Sequence, residues 1–261
     1  MPADGDTTTR TMVSQTGPSV LHSLVDFDNV PAMTRQKGVD HVLHTTLDTA
    51  AGALGASMPR RVMVRLYGGW YDGLRLTRKA QELVRSRYFA SQVPRCPTGF
   101  ASSDKILIKA ELARTLLSQA GDRSVAPFPN TCRTRPVSTV GFRAKFPDHT
   151  RCDMQPCFLA ELGEFFRTGQ CPMSQNHPDI TGCVVRDEQK LVDVLLATDL
   201  LHLARCGGSA VLVSSDDDMW PAIIQAVPDL NAFVHVHTQD GEHGQYERLV
   251  GQGHYLKTRL M

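Results

Sequence analysis

Aspartates are the residues of this chain best placed to do chemistry together, and three segments concentrate them. Asp26, Asp28 and Asn29 close the apolar run that begins at Leu21. Asp216, Asp217 and Asp218 follow AVLVSS, so Ser214 and Ser215 stand directly before them. Asp193 lies in LVDVLLATDLLHLA, with Asp199 further along the same segment. Carboxylates gathered at one place repel, and each resists ionisation unless a cation compensates. Hard cations such as Mg²⁺ and Mn²⁺ take oxygen ligands and keep some of their waters. Held by such a cluster, they activate water and stabilise both oxygens of an in-line phosphodiester displacement. The plainer role for any one of these acids is a helix cap, above all for Asp216 to Asp218.

Spacing restricts which acids share a site. Around a helix of about 100° per residue, Asp193 and Asp199 are separated by roughly 120°, and by about 9 Å along the axis. Asp193 is therefore the preferred ligand and Asp199 a more distant one. After a strand, alternation places Asp216 and Asp218 on one side more nearly than Asp217.

Strands and helices must carry these acids to one edge. LHSLVDFDNV and RVMVRLYGGW read as strands ending in turns, and HVLHTTLDTAAGALG between them as a helix. TRKAQELVRSRYFA reads as one helix. KILIKAELARTLLSQ opens as a strand and continues as helix, STVGFRAKF is a strand and FLAELGEFF a short helix. EQKLVDVLLATDLLHLA is a helix apolar nearly all round and so buried on more than one side. AVLVSS is a buried strand, DDDMWPAIIQAV a helix and NAFVHVHT a final strand. Such alternation predicts an α/β fold with a mainly parallel sheet covered on both faces. Ligands in such sheets bind at the carboxyl ends of the strands. Residues 1–19 are small, polar and unpatterned, and read as a disordered lead-in; residues 20–261 form one domain with a cysteine-containing insertion at about 91–186.

The formal net charge is +1, yet residues 60–151 carry 18 Lys and Arg against 6 Asp and Glu. That surplus predicts a polyanion-facing surface beside the acidic crevice. Its candidates are Arg75, Arg78, Lys79 and Arg85, then Arg133, Arg135, Arg143 and Lys145. Tyr67, Trp70 and Tyr71 flank the Gly68-Gly69 turn, where aromatic rings either stack on unpaired bases or pack in the core. Cys152, Cys157, Cys171 and Cys183, with His149 and His177, offer zinc-type ligands, but their spacing is no standard finger and free thiols are the simpler account. Cys96, Cys132 and Cys206 read as small hydrophobes, and His235 and His237 as ordinary sheet histidines. Seven cysteines without an export signal predict a reduced, cytoplasmic setting. No apolar run suits a membrane span, and no glycine-rich phosphate loop suggests a nucleotide cofactor.

Taken in order, VDFDN, QKLVDVLLATDLL and VLVSSDDDMWPAI resemble the three signatures of NYN domains, a branch of the PIN-like nucleases. RLYGGWYDG resembles the second strand and turn of bacterial members. The resemblance implies a Rossmann-like three-layer PIN/NYN fold and Mg²⁺- or Mn²⁺-dependent cleavage of nucleic acid, single-stranded RNA favoured over DNA. It carries over Asp26, Asp193, Asp216 and Asp218 as metal-site acids. Asp28, Asn29, Lys190, Ser214, Ser215 and Asp217 would support them, with Asp199 behind. One position departs: Gln189 stands before Lys190, where the family has glutamate, and Glu188 lies one place earlier. The departure keeps a catalytically weak nucleic-acid-binding module as an alternative; a DNA or structure-specific nuclease is another, because a carboxylate-metal site reads phosphate and not the sugar.

Overall fold

Val20–Asp26 (β1) is buried along most of its length, as a strand must be when others flank it and helices cover both faces. In the computed structural model, which describes residues 20–137, 157–173, 176–238, 244–248, 250 and 255–260, β1 is the middle of a seven-stranded sheet. On one side it pairs in parallel with Arg61–Tyr67 (β2), which pairs in parallel with Ile106–Leu112 (β6). Between these in sequence come the short hairpin strands Tyr71–Asp72 (β3) and Arg75–Leu76 (β4), and Val93–Arg95 (β5), the antiparallel edge strand beside β6. On the other side of β1 lie Ser209–Val213 (β9), Ala232–His237 (β10) and Tyr255–Arg259 (β11), all parallel. The order β11-β10-β9-β1-β2-β6-β5 reverses direction at β1.

Residue alternation along the strands sorts two apolar layers. Val25, Val64, Leu66, Val211 and Val213 face Val39–Leu54 (α2), which buries Val42, Leu43, Leu47, Ala50 and Ala51 against them. Leu24, Ala210, Leu212 and Phe233 face the opposite way, onto Val192–Arg205 (α7) and Trp220–Ala226 (α8). Each fully buried Leu, Ile or Val contributes about 1.5–3 kcal/mol. The result is an α/β fold of helix, sheet and helix layers, as expected.

Several details differ from the sequence reading. α7 was expected to be buried on more than one side. It buries one stripe instead (Val192, Leu195, Leu196, Asp199, Leu200, Leu203 and Ala204), and Val194 is exposed. The segment expected as one helix after the glycine turn is broken into Arg78–Leu83 (α3) and Arg87–Ala90 (α4). Ser86 breaks it by capping α4 and donating its hydroxyl to Asp40 at 2.5 Å. Arg75 therefore lies on β4 and Arg85 between the two helices. The helix expected after β6 is only a single 3-10 turn at Leu117–Gln119. β10 is not the last strand, since β11 extends the sheet. Ala32–Gln36 (α1) follows β1, and Phe158–Thr168 (α5) and Ile180–Cys183 (α6) lie in the expected insertion. Cys132–Pro136 (β7) and Val185–Gln189 (β8) form a separate antiparallel ribbon. Among the described residues no helix is long and apolar enough to cross a membrane. The expected lead-in over 1–19 and strand over 138–146, with Arg143, Lys145, His149 and Cys152, lie outside the described residues.

Candidate functional site

At the carboxyl end of β1, next to the point where the strand order reverses, Asp26 is 3% exposed. The Asn29 backbone N–H donates to its Oδ1 at 3.3 Å, and the Asn29 side-chain amide donates to its Oδ2. Burial pushes the Asp26 carboxyl above its ordinary range, and Asn29 pulls it partly back. From the adjacent strand β9 the chain enters a loop that Ser214 and Ser215 shape. The buried Ser214 hydroxyl accepts the Asp216 N–H at 3.1 Å. The Ser215 hydroxyl accepts the Thr238 N–H at 2.8 Å, which ties the loop to the end of β10. Asp216 then caps the 3-10 turn Asp217–Met219, its carboxylate accepting the Asp218 N–H at 3.0 Å. The capping role expected as the alternative is thus real, and it orients the loop.

Asp193 completes the cluster from the first turn of α7. A helix N-terminus normally favours a carboxylate. Here the carboxyl is instead pushed up to about 6, first because neighbouring atoms strip part of its hydration, then by repulsion from Asp26, Asp216 and Asp218. Asp193 thus feels the charge of three aspartates carried by two other segments at the carboxyl ends of the strands. Leu191, just before α7, has φ 66°, a left-handed conformation that costs a side-chain-bearing residue on the order of 1–2 kcal/mol. That turn swings the chain from β8 into α7 and aims its first residues at the crevice.

Asp28 serves a different purpose. It accepts Arg35 at 3.1 Å, and also Lys79 and the side-chain amide of Gln189. Lys79 is held over the rings of Phe27 (4.9 Å) and Trp70 (5.5 Å). Gln189, at the position where the resemblance leads one to expect glutamate, uses its amide as a donor to Asp28; a carboxylate there would face Asp28 with like charge. The glycine turn lets the β7–β8 ribbon pack closely beside Asp28. A Cβ on Gly68 would meet the Trp70 ring at 2.8 Å, and one on Gly69 would meet the Cys132 Cβ at 3.0 Å.

Two expectations fail on burial. Asp199 does not reach the crevice behind Asp193. It is 1% exposed, ion-paired with Arg65 at 3.0 Å, and accepts the Tyr67 hydroxyl at 2.6 Å and the Leu117 N–H at 2.7 Å. Burial pushes its carboxyl up, while these donors draw it down. The second correction concerns the aromatic residues. Tyr67, Trp70 and Tyr71 are all buried, so none offers a ring face to a base. The Trp70 indole N–H donates to the Leu66 carbonyl at 2.8 Å, and the Thr131 hydroxyl accepts the N–H groups of both Trp70 and Tyr71. Their flanking position beside a turn suggested access, whereas their size and apolar faces filled the core.

The expected cations divide. Arg75, Arg78, Lys79 and Arg133 line one groove of about 660 Å³ whose wall also includes Asp28 and Gln189. Arg78 pairs with Glu82 one turn along α3 at 3.1 Å, and Arg85 is exposed. Lys190 is exposed and pairs with Glu188 at 3.5 Å. Among the zinc-type residues, Cys171 Sγ lies 3.1 Å from His177 Nδ1, Cys183 Sγ donates to the Asp179 carbonyl, and Cys157 is buried. Among the described residues no three His, Cys, Asp or Glu side chains converge as a ready-made metal cage. His235 is a satisfied sheet histidine, joined to the Tyr255 hydroxyl and the Ser214 carbonyl at 3.1 Å each.

A scan against protein-family models found no matching family, and searches of curated proteins and of solved structures found no match either.

Sequence reasoning missed three participants. Arg35 gave no signal beyond its charge near Asp28. Arg65 hid in a strand core, though a lone arginine in an apolar run is itself a cue for a buried acid. Arg186 is one of the alternating charges of VRDEQK, a pattern that suits a two-stranded ribbon.

Proposed function

We propose that this chain is an NYN/PIN-like, divalent-metal-dependent phosphodiesterase acting on nucleic acid, with single-stranded RNA as the first substrate to test. The observation that carries the proposal is Asp193 beside a strand-order reversal, its carboxyl pushed up to about 6 by partial burial first and then by the charges of Asp26, Asp216 and Asp218. Such a donor set, all hard oxygens with no thiolate or imidazole, fits Mg²⁺ or Mn²⁺ better than softer metals. When bound, the cation would supply an activated water and neutralise charge developing on the phosphodiester oxygens.

The chain's own residues do the positioning. Asn29 fixes the Asp26 carboxylate; Ser214 and Ser215 fix the loop that carries Asp216 and Asp218; Leu191 aims Asp193. Arg75, Lys79 and Arg133 offer positive charge to phosphates along the neighbouring groove. The order of the three motifs supports an endoribonuclease. Gln189 supports a second reading, a nucleic-acid-binding module with weak catalysis, because its amide is spent on Asp28. Labelled single-stranded RNA and DNA of one sequence, incubated with Mg²⁺, Mn²⁺ or EDTA, separate these possibilities. Metal-dependent RNA cleavage supports the proposal. Faster DNA cleavage moves the substrate to DNA, and binding without cleavage selects the binding module.

A further inference from the structure

The β7–β8 ribbon has two unlike faces. Its register pairs Cys132 with Gln189 and Thr134 with Asp187, and pairs Arg133 with Glu188 and Arg135 with Arg186. Directly opposed residues share a face, so alternation puts Arg133, Arg135, Arg186 and Glu188 on one face, with Lys190 next in the same series. The other face docks on the domain through Cys132 and Gln189, which approach Gly69. On the first face one carboxylate serves four cations. Glu188 is within 3.3 Å of Arg133, 3.3 Å of Arg135 and 3.5 Å of Lys190, and it also pairs with Arg186. The glutamate side chain is 12% exposed, against 35–63% for the four cations around it. Like charges directly opposed across a ribbon, as Arg135 and Arg186 are, destabilise it. Glu188 offsets that repulsion by pairing with both arginines, but four cations around one carboxylate leave a surplus of positive charge on this face.

We propose that this ribbon face is a phosphate track for a nucleic-acid strand leading to the acidic crevice, with Glu188 as an internal anion that keeps the cations gathered until phosphates displace it. The crevice is close: Lys190 and Asp193 are three residues apart, so their Cα atoms lie within about 11 Å. The groove that contains Arg133 also contains Arg75, Arg78 and Lys79, interleaved with Asp28, Asp72, Asp187 and Glu188, so cations for further phosphates lie along it beside acids that the phosphates would displace. Guanidinium groups suit this use because they grip phosphate oxygens in a fork. The track rests on the nucleic-acid reading of the crevice but not on cleavage.

The test is binding of a fluorescein-labelled single-stranded oligonucleotide in EDTA across a salt series, for the full chain and two variants checked for folding by circular dichroism. Replacing Arg133, Arg135 and Arg186 by Gln should weaken binding at least about tenfold and shallow the salt slope by up to about 2, at roughly 0.7 per lost phosphate contact. Glu188→Gln should tighten binding about threefold or more, because it removes the competing anion and leaves the cations. If the triple variant fails to fold, Glu188→Gln still decides. Wild-type affinity and slope in a folded triple variant would overturn the proposal, as would a Glu188→Gln variant that binds no tighter. Displacement of the oligonucleotide by poly-glutamate at equal charge would also overturn it, in favour of an acidic peptide. Because EDTA suppresses metal-dependent hydrolysis, a protein that binds in this way but never cleaves leaves the track standing and removes only the phosphodiesterase.

Discussion

Asp193 and Asp199 belong to one helix and to opposite electrostatic worlds. Asp193 is exposed at the helix start and faces three other acids. Asp199 is buried six residues on, and an arginine, a tyrosine hydroxyl and a backbone N–H converge on it. The helical rotation between them separates a group that repels its neighbours from a group that the fold has satisfied. Acids held in repulsion are candidates for cation binding; satisfied acids hold elements together. Asp199 joins α7 to β2 through Arg65 and Tyr67, and to the 3-10 turn through Leu117.

The sharpest way to break this comparison is Asp199→Ala. It leaves Arg65, 2% exposed, without its most buried partner. Glu111 and the Thr115 carbonyl still pair with Arg65 and soften the loss. Denaturant unfolding should show a loss of about 3 kcal/mol, the low end for a buried pair deprived of one member. A loss near zero would mean that Asp199 is not structural.

Asp193 should behave in the opposite sense. Its folded pKa of about 6 lies above the unfolded 3.8. Between these values the folded chain holds a proton that the unfolded chain releases, so stability falls as pH rises through the window and the penalty is complete above about pH 6. Asp26 and Asp199 are raised too and deepen the fall. Asp193→Asn removes its own share. Melting in metal-free buffer should give a variant about 2–4 °C more stable than wild type at pH 7.5, after solvent screening at this exposed group, and equal to it below pH 4.

Gln189→Glu sharpens the comparison by adding a further repelled acid. It replaces a donor to Asp28 with a like charge, and metal-free stability should fall by about 1–2 kcal/mol. Mn²⁺ should shrink that deficit if the new carboxylate joins the cation site. The smallest effect expected is that of Ser215→Ala, which leaves the Thr238 N–H without its acceptor and costs about 1 kcal/mol in unfolding.

How much of this was written in the sequence depends on the range of the interaction. β1, β2, β9 and β10 were legible because buried parallel strands read as apolar runs bounded by turns. Asp26, Asp193, Asp216 and Asp218 were legible because their offsets are local: a strand end, a first helical turn, a loop after a strand. β11 was missed because a short, half-exposed edge strand such as YLKTR has no apolar run. The break between α3 and α4 was missed because it depends on Ser86 reaching Asp40, far away in sequence. The burial of Tyr67 and the pairing of Asp199 are one long-range fact, joining residues 132 apart. No local pattern encodes it. Gln189 was read as a lost carboxylate, and only the docked ribbon reveals the amide's use at Asp28.

Titration of Mn²⁺ into the metal-free protein at pH 7.5, followed by calorimetry for wild type, Asp193→Asn and Asp216→Asn, tests most directly whether the crevice acids act as one unit. Wild type should bind, and each variant should bind at least about tenfold more weakly, the loss that even an outer partner of a metal ligand causes. Wild type that takes up neither Mn²⁺ nor Mg²⁺, or variants that bind as tightly as wild type, would contradict the assignment of these aspartates to a metal site.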